Sequence, residues 1–215
     1  MALLKKLLVA GLVLGGTFLS TNKTSELLIT RSKMSLEESA RLIVDSHIAG
    51  LHKLYKFSDE ELNKFDAWID STLVESARDS SNSIIVNKTE KILYLIKNGK
   101  VDSEYAIDLG GNSYEDKQKE GDFCTPEGRY VVKQKLYPES TSFYKAFLID
   151  YPNKEDKIKG KTGGAIEIHG KGGQGYNWTH GCMASSNEDM DKLFQYINKG
   201  DMITIVRCTS KDLFP

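Results

Sequence analysis

The strongest constraint on the fold is a change of period near residue 83. From Ile84 onward, Ile84-Ile85-Val86, the alternating run Ile92 to Lys97 and the run Val101 to Ile107 read as strands. Asn98-Gly99 joins the last two runs, and both residues tolerate the positive φ that a two-residue hairpin demands. Further strands are predicted over Tyr130 to Leu136, Phe143 to Asp150, Ala165 to Ile168 and Met202 to Arg207. One late helix interrupts them, Glu188 to Asn198. Ser185-x-x-Glu188 is its expected capping box, Gly200 follows its end, and Met190, Leu193, Phe194 and Ile197 make its apolar face.

Before residue 83 the period is helical. Ser35-x-x-Glu38 opens one helix, with Leu36, Ala40, Ile43, Val44, His47, Leu51 and Leu54 at helical spacing. Ser58-x-x-Glu61 opens a second, with Leu62, Phe65, Ile69 and Leu73 inward. Together they predict a helical hairpin over 35–79, separated by the polar stretch Asp79 to Ser83 from a β domain over 83–209. Residues 21–34 are polar and without period, and read as a tether. At the start, Lys5-Lys6 precede the uncharged run Leu7 to Leu19, the layout of a secretory signal or an uncleaved anchor over 1–20. That run is shorter than the roughly 20 apolar residues of a spanning helix. The expected class is α+β, with a mostly antiparallel β domain.

Charge narrows the partners. Lys and Arg number 29 against 30 Asp and Glu, interspersed, so no basic stripe offers itself to nucleic acid. The three cysteines, Cys124, Cys182 and Cys208, are odd in number and widely spaced, which argues against a disulfide framework and a zinc ribbon. A single Cys124–Cys208 bridge stays open.

The chemistry concentrates between Ala165 and Ile197. A short apolar strand ends in His169, a glycine-rich loop follows, and Cys182 lies thirteen positions on, behind Gly181. A thiol reacts as its thiolate, and a nearby imidazole is the common device for making one. Gly181 allows a tight turn and leaves N–H groups to face a developing oxyanion. A His and a Cys alone are weak grounds, since buried cysteines and packed histidines are ordinary. Zinc on His169, His180 and Cys182 lacks a fourth Cys or His nearby. Gly170-x-Gly172-x-x-Gly175 matches the dinucleotide fingerprint literally, but Tyr176-Asn177-Trp178 follows where a helix must begin. Thr125-Pro126-Glu127-Gly128 reads as a turn.

The surrounding text is more specific. Ile168-His169-Gly170, a loop, then Asn177-Trp178-Thr179-His180-Gly181-Cys182-Met183-Ala184 resembles the active-site signature of the L,D-transpeptidases, the YkuD-type catalytic domain. Upstream, Leu109-Gly110, Asp116 to Asp122, Thr125 to Tyr130 and Asp150-Tyr151-Pro152-Asn153 resemble other family motifs in the same order, so the likeness spans roughly Ser83 to Arg207. The loop between His169 and Thr179 is shorter than in the best-known members, and Ala184 replaces a frequent Arg or Asn; both features resemble a subgroup with Asp/Asn-Trp-Thr-x-Gly-Cys.

The resemblance implies an exported, cofactor- and metal-independent enzyme of the bacterial cell envelope, reaching membrane only through its N-terminal segment. Cys182 would be the nucleophile on a peptidoglycan tetrapeptide stem, His169 its base, and Gly181 part of the oxyanion site. Gly170, Trp178, Thr179, His180 and Tyr144 would line the substrate. The acyl group would pass to an amine on a second stem or on a wall-anchored protein. Three alternatives stay open: transfer to water by an L,D-carboxypeptidase or endopeptidase, a non-catalytic wall-binding module, and a papain-like protease. The last is disfavoured because Cys follows His and no Asn or Asp partner motif is present.

Overall fold

The computed structural model describes residues 58–208. The expected export segment, the tether and the first helix of the hairpin lie outside them, with His47 and His52. Helix α1 (Asp59–Asp79) opens on the expected cap: Ser58 Oγ accepts the Glu61 N–H, and the Glu61 carboxylate accepts the Ser58 N–H. Ser58→Ala should therefore cost about 1 kcal/mol, read as a lower urea midpoint. No described helix is long and apolar enough to cross a membrane.

Eight strands follow: β1 (Asn82–Asn87), β2 (Ile92–Lys97), β3 (Lys100–Ala106), β4 (Gly128–Leu136), β5 (Ala146–Ile149), β6 (Glu167–His169), β7 (Met183–Ala184) and β8 (Met202–Val206). They form one sheet in the order β3-β2-β1-β8-β4-β5-β6-β7. Neighbours are antiparallel except β1–β8 and β6–β7. Asn98 and Gly99 have φ of 50° and 74°, as the β2–β3 hairpin requires. Just past β3, Asp108 pairs with Ala184 of β7 through N–H···O bonds of 2.8 Å in both directions. The two ends of the curled sheet thereby meet, and the segment 179–184 sits at the seam.

Inside the curl, Ile84, Leu93, Tyr130, Phe147, Ile168 and Ile205 share one buried cluster with Met190, Leu193 and Phe194 of helix α3 (Asn187–Tyr196). The cap of α3 is Ser186, whose side chain accepts the Asp189 N–H, one residue later than expected. Ser185 cannot serve, because its N–H goes to His169 O and its hydroxyl to Ala106 O. A short helix α2 (Lys154–Ile158), capped by Asn153, has no counterpart among the expected elements.

The other face of the sheet is covered by α1. Phe65 and Ile69 are buried against Ile85, Tyr94, Ile96 and Val206, and Thr72 Oγ1 bonds Thr204 Oγ1 at 2.6 Å. The inward residues of this helix are those its spacing predicts, but they face the sheet. The second helix of the expected hairpin thus packs on the β domain, and removing α1 would uncover four large apolar side chains of the sheet. The Thr125–Gly128 segment is also corrected. It runs without a turn into β4, because Thr125 Oγ1 accepts the Gly110 N–H and the Glu127 N–H is held by Asp116. Cys124 and Cys182 are free thiols, and Cys208 packs on the α1 side of the sheet.

Candidate active site

β6 carries the site. Alternation along it turns Ile166 and Ile168 into the core and Glu167 and His169 to the opposite side. β7 runs parallel beside it, with Ile168 opposite Met183 and His169 opposite Ala184, so Cys182 enters one residue before the paired ladder. Its thiol donates to Ala165 O at 3.6 Å and lies near the Glu167 N–H. Ala165 holds a φ of 52°, which costs a residue with a Cβ about 1 kcal/mol. This strained alanine presents its carbonyl to the sulfur.

Cys182 opens onto a cleft of about 330 Å³, which Lys117, Glu120, Ala165, Ile166, His180 and three glycines also line. The far wall is the segment 117–122. Burial alone would raise the Asp122 carboxyl, but the Lys117 ammonium at 2.6 Å and the N–H groups of Lys119, Cys124 and Gln118 hold it down to about 2. Two more buried lysines fix this loop. Lys161 pairs with Asp116 and Asp156. Lys88 pairs with Glu127 and donates to Glu115 O and Thr125 O.

The resting thiol is not the thiolate that the His169…Cys182 spacing suggests. Burial pushes Cys182 up to about 11; the nearby Glu167 N–H and the Lys117 ammonium pull it down, while the Glu167 carboxylate adds to the rise. Neither His169 nor His180 is hydrogen-bonded to it. His169 is buried, stacked on Phe143 at 4.1 Å between ring centroids and edge-on to Trp178 at 6.0 Å. Its Nδ1 is 2.7 Å from Gly170 O, a pure acceptor, so Nδ1 carries the proton and Nε2 the lone pair. Burial lowers its pKa, against that bond, and the imidazole is neutral at neutral pH. A neutral imidazole one pleat along from the thiol has the right form for a general base.

The other expected residues divide. His180 is exposed, lines the cleft and meets Phe123 edge-on at 4.8 Å. Thr179 is buried: Oγ1 donates to Cys182 O at 2.6 Å and accepts the Gly181 N–H at 3.1 Å. It clamps the turn beneath Cys182 and engages one of the N–H groups expected to face an oxyanion. The Gly181 N–H is occupied, while Cys182 N–H has no partner among the described residues. Gly181 is needed for close approach, because a Cβ there would lie 2.6 Å from Cys124 O. Gly170 is likewise packed against Phe143 O, where a Cβ would come to 2.8 Å. Tyr144 points elsewhere, its hydroxyl donating to Asp191 on α3 at 2.9 Å.

Sequence reasoning missed Asp108. Its buried carboxylate accepts from Gln174 N–H (2.8 Å), Gly175 N–H (3.0 Å) and Trp178 Nε1 (3.1 Å), and so shapes the loop that brings Trp178 to His169. Asp108→Asn replaces one acceptor by a donor facing N–H groups. Turnover should fall about 10- to 100-fold, with a shift in Trp178 emission. Among the described residues no group of three or more His, Cys, Asp and Glu is placed to hold a metal ion.

Comparison with known proteins supplies the family. Residues 81–205 match the L,D-transpeptidase catalytic domain family, YkuD. YafK of Escherichia coli strain K12 is 36% identical over 81 residues, 38% of this chain and 31% of YafK. The helical cell shape determining protein Pgp2 from Campylobacter jejuni is 32% identical, with a TM-score of 0.48, over 69% of this chain and 58% of Pgp2. Bdellovibrio bacteriovorus Bd1075 is 27% identical, with a TM-score of 0.50, over 62% of this chain and 52% of Bd1075. The chain thus spans about a third of YafK and little over half of the other two. With the family match running from β1 to β8 and taking in both His169 and Cys182, the chain belongs to the L,D-transpeptidase catalytic domain family.

Proposed function

We propose that this domain is a cysteine acyltransferase acting on peptidoglycan tetrapeptide stems in the cell envelope. The observation that carries the reading is the Cys182 thiol on the wall of a cleft, with a neutral, buried His169 on the adjoining strand, in a chain of this family. The donor stem enters along the cleft. His169 takes the thiol proton as the sulfur attacks the amide between the L-centre at position three and the terminal D-residue. The Cys182 N–H faces the developing oxyanion, and the D-amino acid leaves with the proton held by His169. A thioester on Cys182 then passes to an amine. Transfer to water would instead give L,D-carboxypeptidase products, and Met1 to Leu19 would direct the chain to the envelope.

Pgp2 is by name a determinant of helical cell shape; a role in cell shape for this chain is part of the proposal and is not required by the chemistry. The test is mass spectrometry of tetrapeptide muropeptides incubated with the protein, with and without an acceptor stem. Release of a D-amino acid with formation of a cross-linked product supports the reading. Intact tetrapeptide after incubation with folded protein contradicts it.

A further inference from the structure

Glu167 has an arrangement that packing does not explain. Its Oε2 is sealed from solvent with no hydrogen-bond partner, although the residue as a whole is only half-buried. A buried carboxylate oxygen without a partner is expensive to keep, and a leucine or glutamine would serve a strand better. The residue sits beside Cys182: the parallel β6–β7 register, with Ile168 opposite Met183, sets Glu167 next to Cys182, and its N–H lies near the sulfur. It faces the same side of β6 as His169 and does not line the cleft assigned above to the donor stem. Its neighbour on β5 is Leu148, and among the described residues no salt bridge reaches it.

We propose that Glu167, through the part of its half-buried side chain that stays open, receives the acyl acceptor, pairing with the incoming ammonium beside the Cys182 thioester and taking the proton that must leave before the amine can attack. The inference rests on the function proposed above and names the group that favours amine over water. An amine at neutral pH is mostly protonated and has no lone pair to offer. Glu167 takes one proton from it; the lone pair forms the C–N bond at the thioester carbon, and the C–S bond breaks with its electrons on sulfur. The second proton passes from nitrogen to Cys182, which regains its thiol, and Glu167 returns the first proton to solvent. Burial raises the Glu167 carboxyl, which makes it a better acceptor for that proton.

The test is the ratio of cross-linked to hydrolysed product from one acyl-enzyme pool, in the full chain and in Glu167→Gln, which keeps the shape but neither the charge nor the basicity. The ratio is insensitive to how fast Cys182 is acylated. With an acceptor stem bearing an ammonium it should fall about a hundredfold. With hydroxylamine, uncharged at neutral pH, it should stay within about twofold of the wild type, because no proton need leave before attack. An unchanged ratio with the ammonium acceptor overturns the proposal, as does an equal fall with both acceptors or a wild-type protein that acylates and only hydrolyses. Absence of any Cys182 acyl-enzyme in the wild type would instead remove the function on which it rests.

Discussion

His169→Gln is expected to lower turnover on tetrapeptide stems by about 10²- to 10⁴-fold while barely changing how the resting Cys182 thiol alkylates with pH. The two halves of this expectation come from different facts. Turnover needs a base that accepts the thiol proton during attack, and His169 is held neutral by burial with its Nδ1 proton engaged by Gly170 O. Resting reactivity depends on the thiolate already present, and burial sets that at a thiol pKa of about 11 with no imidazole bonded to the sulfur. Iodoacetamide alkylation should therefore climb through pH 9 and 10 in wild type, His169→Gln and His180→Gln alike. His180→Gln should keep most turnover, since its exposed ring touches Phe123 and not the thiol. A low-pH shoulder of alkylation that vanishes in His169→Gln would show a resting ion pair and contradict the geometry.

Lys88→Met should cost about 3–5 kcal/mol of stability, the largest loss expected from a single change remote from the thiol. Both partners of the Lys88–Glu127 pair are essentially inaccessible, at 2.9 Å, and burial lowers the Lys88 pKa against the raising effect of Glu127. Methionine keeps the volume but leaves Glu127 with Arg207 at 3.1 Å as its remaining cation. It also strips the ammonium from Glu115 O and Thr125 O, which fix the ends of the loop that walls the cleft. Urea unfolding reads the stability, and a raised KM for the donor stem reads the loop. The double variant Lys88→Met with Glu127→Gln should recover part of the loss, because the buried carboxylate that has lost its closest cation is then removed. A loss under about 1 kcal/mol in the single variant would mean that Arg207 alone satisfies Glu127 and would contradict this expectation.

Local signals in the chain are legible wherever one stretch decides the outcome. The β2–β3 hairpin follows from Asn98-Gly99, and the inward faces of α1 and α3 follow from apolar spacing. His169 at a strand end and Cys182 beyond a glycine are likewise readable, because the motif is contiguous. What escapes depends on distant partners. β7 has two residues and shows no period, and it exists through β6 and Asp108. Asp108 reads as one more polar residue after a strand until the curl brings Trp178 to it. The α3 cap is ambiguous in sequence because Ser185…Glu188 and Ser186…Asp189 are equivalent on paper; the commitments of Ser185 to His169 and Ala106 separate them. The face of α1 is plain in the spacing but its neighbour is not, since spacing shows that a helix buries a side and not what covers it.

The most direct test of the account is the mass of the protein itself during turnover. A tetrapeptide stem mixed with the full chain and quenched in acid should leave one acyl group, the stem minus its terminal D-residue, on the peptide containing Cys182. The adduct should be absent in Cys182→Ala and should disappear on adding an acceptor amine. An adduct on the buried Cys124 or Cys208, or substrate consumed by Cys182→Ala at the wild-type rate, would contradict it.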